Sequence, residues 1–268
     1  MKNKTQKMNK SYKFLLLFSL LLILIFKPLS GAVMDAGEEL EYKVSFLGIR
    51  IGTIKMTIIG QEKIADKTVW RTKAYIDSRE GIPYVALHAI YESWVDQSIS
   101  YSNQFVGNTK FMSYDWVFQK ILFNYPDNEF YNESWYQGQI KYKETVKTKK
   151  RWNDGSSIFY LARQYVDSKK NLVVPTIIER DTSTTILYLQ GKREKVEIDA
   201  ADYPLKSIYF TGKGNWKGLY GLSGNFEGWF SDDDAHVPLK AKLNVLVGAV
   251  TVELVKWRRN NWSLPRAN

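Results

Sequence analysis

Cysteine is absent from the whole chain of 268 residues. Its absence excludes disulfide bonds, thiolate metal sites and cysteine nucleophiles. It also excludes processing as a lipoprotein, because that modification needs a cysteine to carry the lipid. The fold is therefore predicted to depend on a packed apolar core.

Histidine is nearly absent as well, since the chain has only His88 and His236. The sharpest candidate for a chemical site is the segment 231–236, where Asp232, Asp234 and His236 could bind a divalent cation or act as acid and base. The segment lacks the glycine and the distal glutamate of an EF-hand loop, and its composition is equally typical of a polar turn. The turn is the favoured interpretation, and an envelope hydrolase or metal-dependent enzyme is the alternative.

Acidic residues are missing from residues 1–32, where five lysines precede an apolar run over 14–26 and small residues follow it. This order is typical of a secretory signal, and the run is shorter than the roughly 20 residues of a spanning helix. Cleavage is predicted after Ala32, with Ala36 as a second option. Lys27 and Pro28 lie close to the apolar run, which leaves retention as an uncleaved anchor open.

The net charge of +10 overstates how basic the folded part is. Six of the 38 basic residues and none of the 28 acidic ones lie in 1–32, which leaves 32 basic and 28 acidic residues, or about +4. A nucleic-acid-binding domain normally carries a concentrated basic stripe. Nucleic acid is therefore not predicted as a partner.

Strict alternation of apolar and polar residues dominates the remainder, residues 33–268. Leu40, Tyr42, Val44 and Phe46 fall on one face of a predicted strand, and the intervening residues are polar. A hairpin containing Gly48 follows, then a strand over 68–77 and a series of aromatic-rich segments with turn signals. We predict one mainly β domain of antiparallel strands over 33–268.

Further strands are predicted at 173–179, 184–190, 195–198, 205–211, 225–230 and 237–247. At Gly248 the apolar phase changes from odd to even positions, which predicts a bulge or tight turn. A short amphipathic helix is predicted over 156–166, with Asp154 or Ser156 as its cap. Residues 82–90 fit either a helical turn from Pro83 or an alternating strand.

Two surface features could bind a ligand. If 141–149 is a strand, its lysines share one face, which could meet anionic head groups or acidic glycans, although a solvated outer face explains them too. Aromatic residues make up 15% of the chain, and they could line an apolar groove or form core and cross-strand pairs. The predicted ligand-binding residues are Lys141, Lys143, Lys147, Lys149, Trp94 and Trp135.

Four segments resemble a bacterial family of mostly exported proteins, the domain-of-unknown-function family 3108. They are the opening 37–42, the hairpin through Gly52, the helical segment 157–163 and the ending 228–239. The resemblance spans nearly all of 33–268 and implies a curved antiparallel sheet, half-barrel or barrel around a helix, in the cell envelope. It implies no reaction. His236 stands near a position that is often basic in the family, which argues against a family-wide catalytic role for it.

The leading hypothesis is a non-enzymatic periplasmic or otherwise extracytoplasmic protein whose concave, aromatic-lined sheet face binds a lipid or other amphiphile. No cofactor and no transmembrane span after signal cleavage are expected. A module that pairs an exposed strand edge with an envelope protein is a further alternative.

Overall fold

The structure is a computed structural model that describes residues 33–82, 86–216, 224–245 and 248–268. The predicted signal, residues 1–32, lies outside the described residues. Val33–Asn268 forms one compact unit, which contains every strand, helix and buried cluster described below. Its elements in chain order are β1 Glu39–Phe46, β2 Ile49–Ile64, β3 Lys67–Ser78, β4 Leu87–Asp96, β5 Ser102–Phe111, β6 Val117–Asn124, β7 Glu129–Tyr136, β8 Gln139–Lys147, β9 Asn153–Asp154, α1 Ser157–Tyr165, β10 Lys170–Ile178, β11 Asp181–Val196, β12 Leu205–Gly214, β13 Gly224–Ser231, β14 Pro238–Asn244 and β15 Ala249–Arg258.

The 15 strands of the described residues belong to one sheet, in the order β8-β7-β6-β5-β4-β3-β2-β1-β15-β14-β13-β12-β11-β10-β9. Neighbours are antiparallel except β9 and β10, which are parallel. The sheet therefore has two arms, β2 to β8 and β15 to β9, which meet at β1. The predicted mainly β, antiparallel fold is confirmed.

Alternation in the sequence sets the two faces of the sheet. In β1, Leu40 and Tyr42 are buried, and Tyr42 pairs with Ile54 of β2 and Leu254 of β15. Paired residues of neighbouring strands lie on the same face, so one apolar face continues from arm to arm. The predicted turn at Gly248 is confirmed, because this glycine has φ +82° and lies just before β15.

The helix α1 lies against the inner, concave face of the sheet. Leu161 packs in a cluster with Phe230 of one arm, and Tyr160 packs in another with Ile58 of the other arm. The helix begins where predicted because the Asp154 carboxylate accepts the backbone N–H groups of Ser156 and Ser157, at 2.7 and 2.9 Å. One short helix therefore holds both arms of the curved sheet.

The two ends of the sheet overlap. Ile177 of β10 packs in one buried cluster with Phe105 and Ile121, which lie on β5 and β6. Beside this cluster the carbonyl of Glu179 accepts hydrogen bonds from the side chains of Gln119 and Asn132, at 2.8 Å each. The first arm therefore covers the free end of the second one.

Two buried polar clusters fasten the interior. The Arg163 guanidinium of α1 donates to both carboxylate oxygens of Glu38, at 2.6 and 2.8 Å, and Arg259 contacts the same carboxylate. Asp154 accepts the hydroxyls of Ser93 and Ser102, at 2.6 Å each. These clusters join α1 to the first and last parts of the compact unit and to the strands opposite it.

Three sequence predictions differ from the structure in their boundaries. The strands predicted at 184–190 and 195–198 form the single strand β11, which bulges between Tyr188 and Lys192. The strand predicted at 237–247 ends at Asn244. In the ambiguous stretch 82–90, a strand begins at Leu87, and residues 83–85 lie outside the described residues. No helix in the described ranges has the length and apolarity that a bilayer span requires.

Candidate functional site: the open half of the concave face

The concave face beyond the helix is lined by side chains without charge. Every second residue of a strand lies on the same face of the sheet. From the residues that contact the helix, these inward positions continue along the strands toward the turns that follow β1, β3, β12 and β14. At these inward positions the described parts of β1 to β4 and β12 to β15 carry only apolar residues, glycines, Ser, Thr and Tyr. The outward positions between them carry most of the charges, as in the Lys43–Glu253 and Lys240–Glu253 ion pairs.

Burial changes along this face. Near the helix the inward residues are fully buried, as Ile58 and Ile208 show. Toward the turns many of them are only half-buried, although they are just as apolar; Leu87 and Ala89 at the start of β4 stay buried. We call this half-buried set the apolar mouth: Phe46, Ile54, Ile76, Phe226, Ala241, Leu243, Val250 and Val252.

Glycine leaves room for aromatic rings in the wall of the mouth. A Cβ on Gly212 would lie 2.2 Å from the Phe226 ring, and one on Gly228 would lie 2.5 Å from the Phe210 ring. The rings thus lie over glycines of the neighbouring strands, which explains why glycine occurs inside β12 and β13.

Neutral polar groups lie beyond the mouth on the first arm. The hydroxyls of Tyr91 and Thr109 are 3.1 Å apart, and Gln119 donates to the hydroxyl of Tyr142 at 3.1 Å. Burial raises the pKa of Tyr142 to about 12 and also raises the pKa of Tyr91. Both phenols therefore stay neutral near pH 7, and they add hydrogen-bonding capacity to this part of the concave face without adding charge.

A shallow depression on the convex face is chemically different. It is open to solvent and is lined by Glu41, Thr53, Lys55, Tyr75 and Asp77. Charges of both signs and wide opening suit water better than an apolar ligand. The mouth is therefore the stronger candidate for a binding site.

The predicted lysine patch lies on the last strand of the first arm. Lys141, Lys143 and Lys147 are exposed on the edge strand β8, and Lys149 is exposed just after it. Lys147 pairs with Glu129, and the Lys141 ammonium lies 4.8 Å from the centre of the Tyr136 ring. Exposed lysines are typical of edge strands that avoid pairing with other chains. Their role in ligand binding stays a prediction.

The predicted tryptophans lie on the convex face. Trp94 pairs with Gln104, donates its indole N–H to Glu62 and has the Arg71 guanidinium 5.2 Å from its ring. Trp135 is half-buried and pairs with Phe118. The concave face next to the helix is therefore lined not by these two indoles but by phenylalanine and branched aliphatic residues.

The acidic segment before β14 forms the favoured polar turn. Asp232 contacts Arg193 at 3.1 Å, Asp234 is exposed, and the His236 ring meets the carbonyl of Arg163 at 2.9 Å. Burial lowers the pKa of His236, so its ring is neutral near pH 7. The three side chains do not converge, and the described residues contain no cluster of three or more metal-ligating side chains.

Sequence reasoning missed the mouth, although its signal was present in the alternation. Between the helix and the mouth, the inward positions of β1 to β4 and β12 to β15 lack charge, whereas the outward positions carry it. The sequence does not say which stretch of the apolar face the helix covers. The open half therefore becomes visible only in the folded chain.

Fold and site together define a class: a curved antiparallel sheet wound around one helix, with an uncharged concave mouth. The family model described as "Protein of unknown function (DUF3108)" matches residues 41–255, and the chain belongs to this family. The crystal structure of a β-barrel-like protein of domain of unknown function DUF1849 from Brucella abortus is also similar. Its TM-score is 0.56 at 9% identity, over 85% of this chain and 100% of that one, so the similarity is one of fold. No curated protein matches the chain.

Proposed function

We propose that this protein binds an apolar or amphiphilic ligand, such as a lipid, in the apolar mouth. The observation that carries the proposal is a concave surface of half-buried apolar side chains without a charged neighbour on the same face. Each methylene that a ligand buries there contributes about 0.8 kcal/mol. A charged metabolite would lose hydration on this surface and gain no ion pair.

The proposal includes a location outside the cytoplasm, in the periplasm or an equivalent compartment. Its support is the sequence of residues 1–32, in which lysines, an apolar run and small residues follow one another. The absence of cysteine is compatible with this location, because the fold relies on packing and ion pairs rather than on redox state. An amphiphile carrier would meet its ligands in the cell envelope.

The test is direct binding of N-phenyl-1-naphthylamine, an uncharged probe that becomes fluorescent in apolar surroundings. Ala241 faces the mouth between Gly228 and Val252, so Ala241→Trp should fill it. Lys242→Trp adds the same ring to the adjacent, outward position and is the matched control. We expect Ala241→Trp to weaken probe binding by about tenfold. This corresponds to a loss of roughly 1.4 kcal/mol of binding free energy, because the probe would bury less apolar surface.

Equal probe affinity for both variants and the unaltered chain would refute binding in the mouth. Native mass spectrometry of protein from an envelope fraction gives an independent readout. A co-purifying lipid that Ala241→Trp excludes and Lys242→Trp retains would identify the ligand class.

A further inference from the structure

Exposed apolar side chains concentrate at the end of the sheet where the mouth opens. The turn between β1 and β2 presents Leu47 and Ile49, which are 67% and 61% exposed. The turn between β5 and β6 presents Tyr114 at 59%, with Met112 and Trp116 beside it. We call these five residues the apolar rim.

The turns that carry the rim, and the turn between β7 and β8 beside them, have more positive than negative charge. The turns after β3 and β10 at the same end are balanced, because Arg79 is followed by Glu80 and Glu179 by Arg180. Arg50, Lys110 and Lys141 lie in the described segments 47–50, 110–117 and 137–141. The single carboxylate there, Asp115, accepts a hydrogen bond from Gln137 at 2.6 Å. Tyrosine and tryptophan favour the boundary between hydrocarbon and water, and arginine and lysine favour anionic head groups. Rim and flanking charges together match an anionic lipid surface.

The rim is continuous with the mouth. Leu47 directly follows Phe46, which lines the mouth. The Leu47 side chain also packs over Gly248, in the turn before β15, where an added Cβ would lie only 3.0 Å from it. The turn between β5 and β6 is held beside the start of β4, because Met112 N–H donates to the carbonyl of Ala86 at 2.7 Å. A flat surface that contacts the rim therefore faces the opening.

We propose that the apolar rim docks this protein on the surface of an anionic lipid bilayer, with the mouth facing the lipid. The proposal rests on the proposed function, since docking would let an amphiphile move between bilayer and mouth without crossing water. Leu47 and Ile49 would enter the acyl boundary, and Arg50 and Lys141 would contact lipid phosphates.

The experiment is vesicle flotation of Val33–Asn268, the compact unit that holds the whole sheet. Vesicles contain phosphatidylcholine alone or a mixture with phosphatidylglycerol. The rim variant combines Leu47→Asn with Trp116→Ser, and asparagine suits the positive φ of 48° at position 47. The matched control combines Val173→Thr with Tyr188→Ser, because these apolar residues are also exposed, at 68% and 38%, but lie on β10 and β11 away from the rim.

We expect the unaltered chain and the control to float with anionic vesicles, and the rim variant to partition at least about tenfold more weakly. Equal flotation of the rim variant, or no flotation of the unaltered chain, would overturn docking by the rim. Equal flotation with uncharged vesicles would overturn the preference for anionic lipid. N-phenyl-1-naphthylamine binding in solution separates the two proposals, because a rim variant that still binds the probe leaves the mouth intact.

Discussion

Replacement of Glu38 by glutamine tests whether the buried ion cluster holds the curled sheet together. Glu38 and Arg163 are 2% and 1% exposed, and Arg259 approaches the same carboxylate. After Glu38→Gln, two guanidinium groups would face one neutral amide away from water. Removing one partner of a buried pair costs about 3–5 kcal/mol.

This loss is large compared with the whole stability of a domain, which is about 5–15 kcal/mol. For a domain of this size it corresponds to a fall in Tm on the order of 10 °C. Urea unfolding of the variant, followed by tryptophan fluorescence and circular dichroism, measures the free energy of unfolding.

Glu39→Gln provides the matched control one residue away. Glu39 pairs with Lys55 at 3.2 Å and Arg258 at 3.0 Å, but it lies at the surface. Surface pairs contribute about 0–1 kcal/mol, so this variant should unfold close to the unaltered chain. If Glu38→Gln and Glu39→Gln lowered the free energy of unfolding equally, the buried Glu38 cluster would not stabilise the sheet more than a surface ion pair does.

Two further predictions concern stability. Burial lowers the pKa of His236 below its ordinary value of 6.5, so the unfolded chain binds a proton more readily than the folded one. Stability should therefore fall as the pH drops through and below 6.5. His236→Gln should make the urea midpoint depend less on pH in this range, and an unchanged dependence would show that His236 is not the group responsible. Asp154→Asn replaces two acceptor oxygens by one and should cost roughly 2–4 kcal/mol in urea unfolding, because buried donors lose partners. Asp167→Asn, in a surface pair with Arg193, should cost about 1 kcal/mol or less, and a similar loss in both variants would argue against the Asp154 network.

Local pattern was enough to predict most elements. Alternation at Leu40 to Phe46 and the helical spacing of Ile158, Leu161 and Ala162 each reflect contacts with an apolar neighbour on one side. The strand ends were less predictable, because bulges such as the one near Gly191 depend on how β11 pairs with β12, which the residue pattern of β11 alone does not show. Buried Arg163 gave no sequence signal, since its partners, the Glu38 carboxylate and the Ala235 carbonyl, lie 125 and 72 residues away.

The candidate site was predictable only as a class. Large aromatic residues often line grooves, which favours Trp94 and Trp135, yet register places them on the convex face. A strand pattern fixes which residues share a face, but curvature decides which face is concave. The mouth residues, such as Ile54 and Val252, become a site only through that curvature and the limited reach of one short helix.

The central position of β1 has a consequence for folding. β2 to β8 add to one side of β1 in chain order, whereas its other side is closed by β15, the last strand. The Tyr42 hydroxyl, for example, donates to the carbonyl of Pro238, 196 residues away. Each arm grows by local hairpins, but the closing step needs contacts of very long sequence separation and should be slow. Until β15 is in place, β1 keeps an unpaired edge, so a chain truncated before β15 has two open arms rather than a smaller sheet.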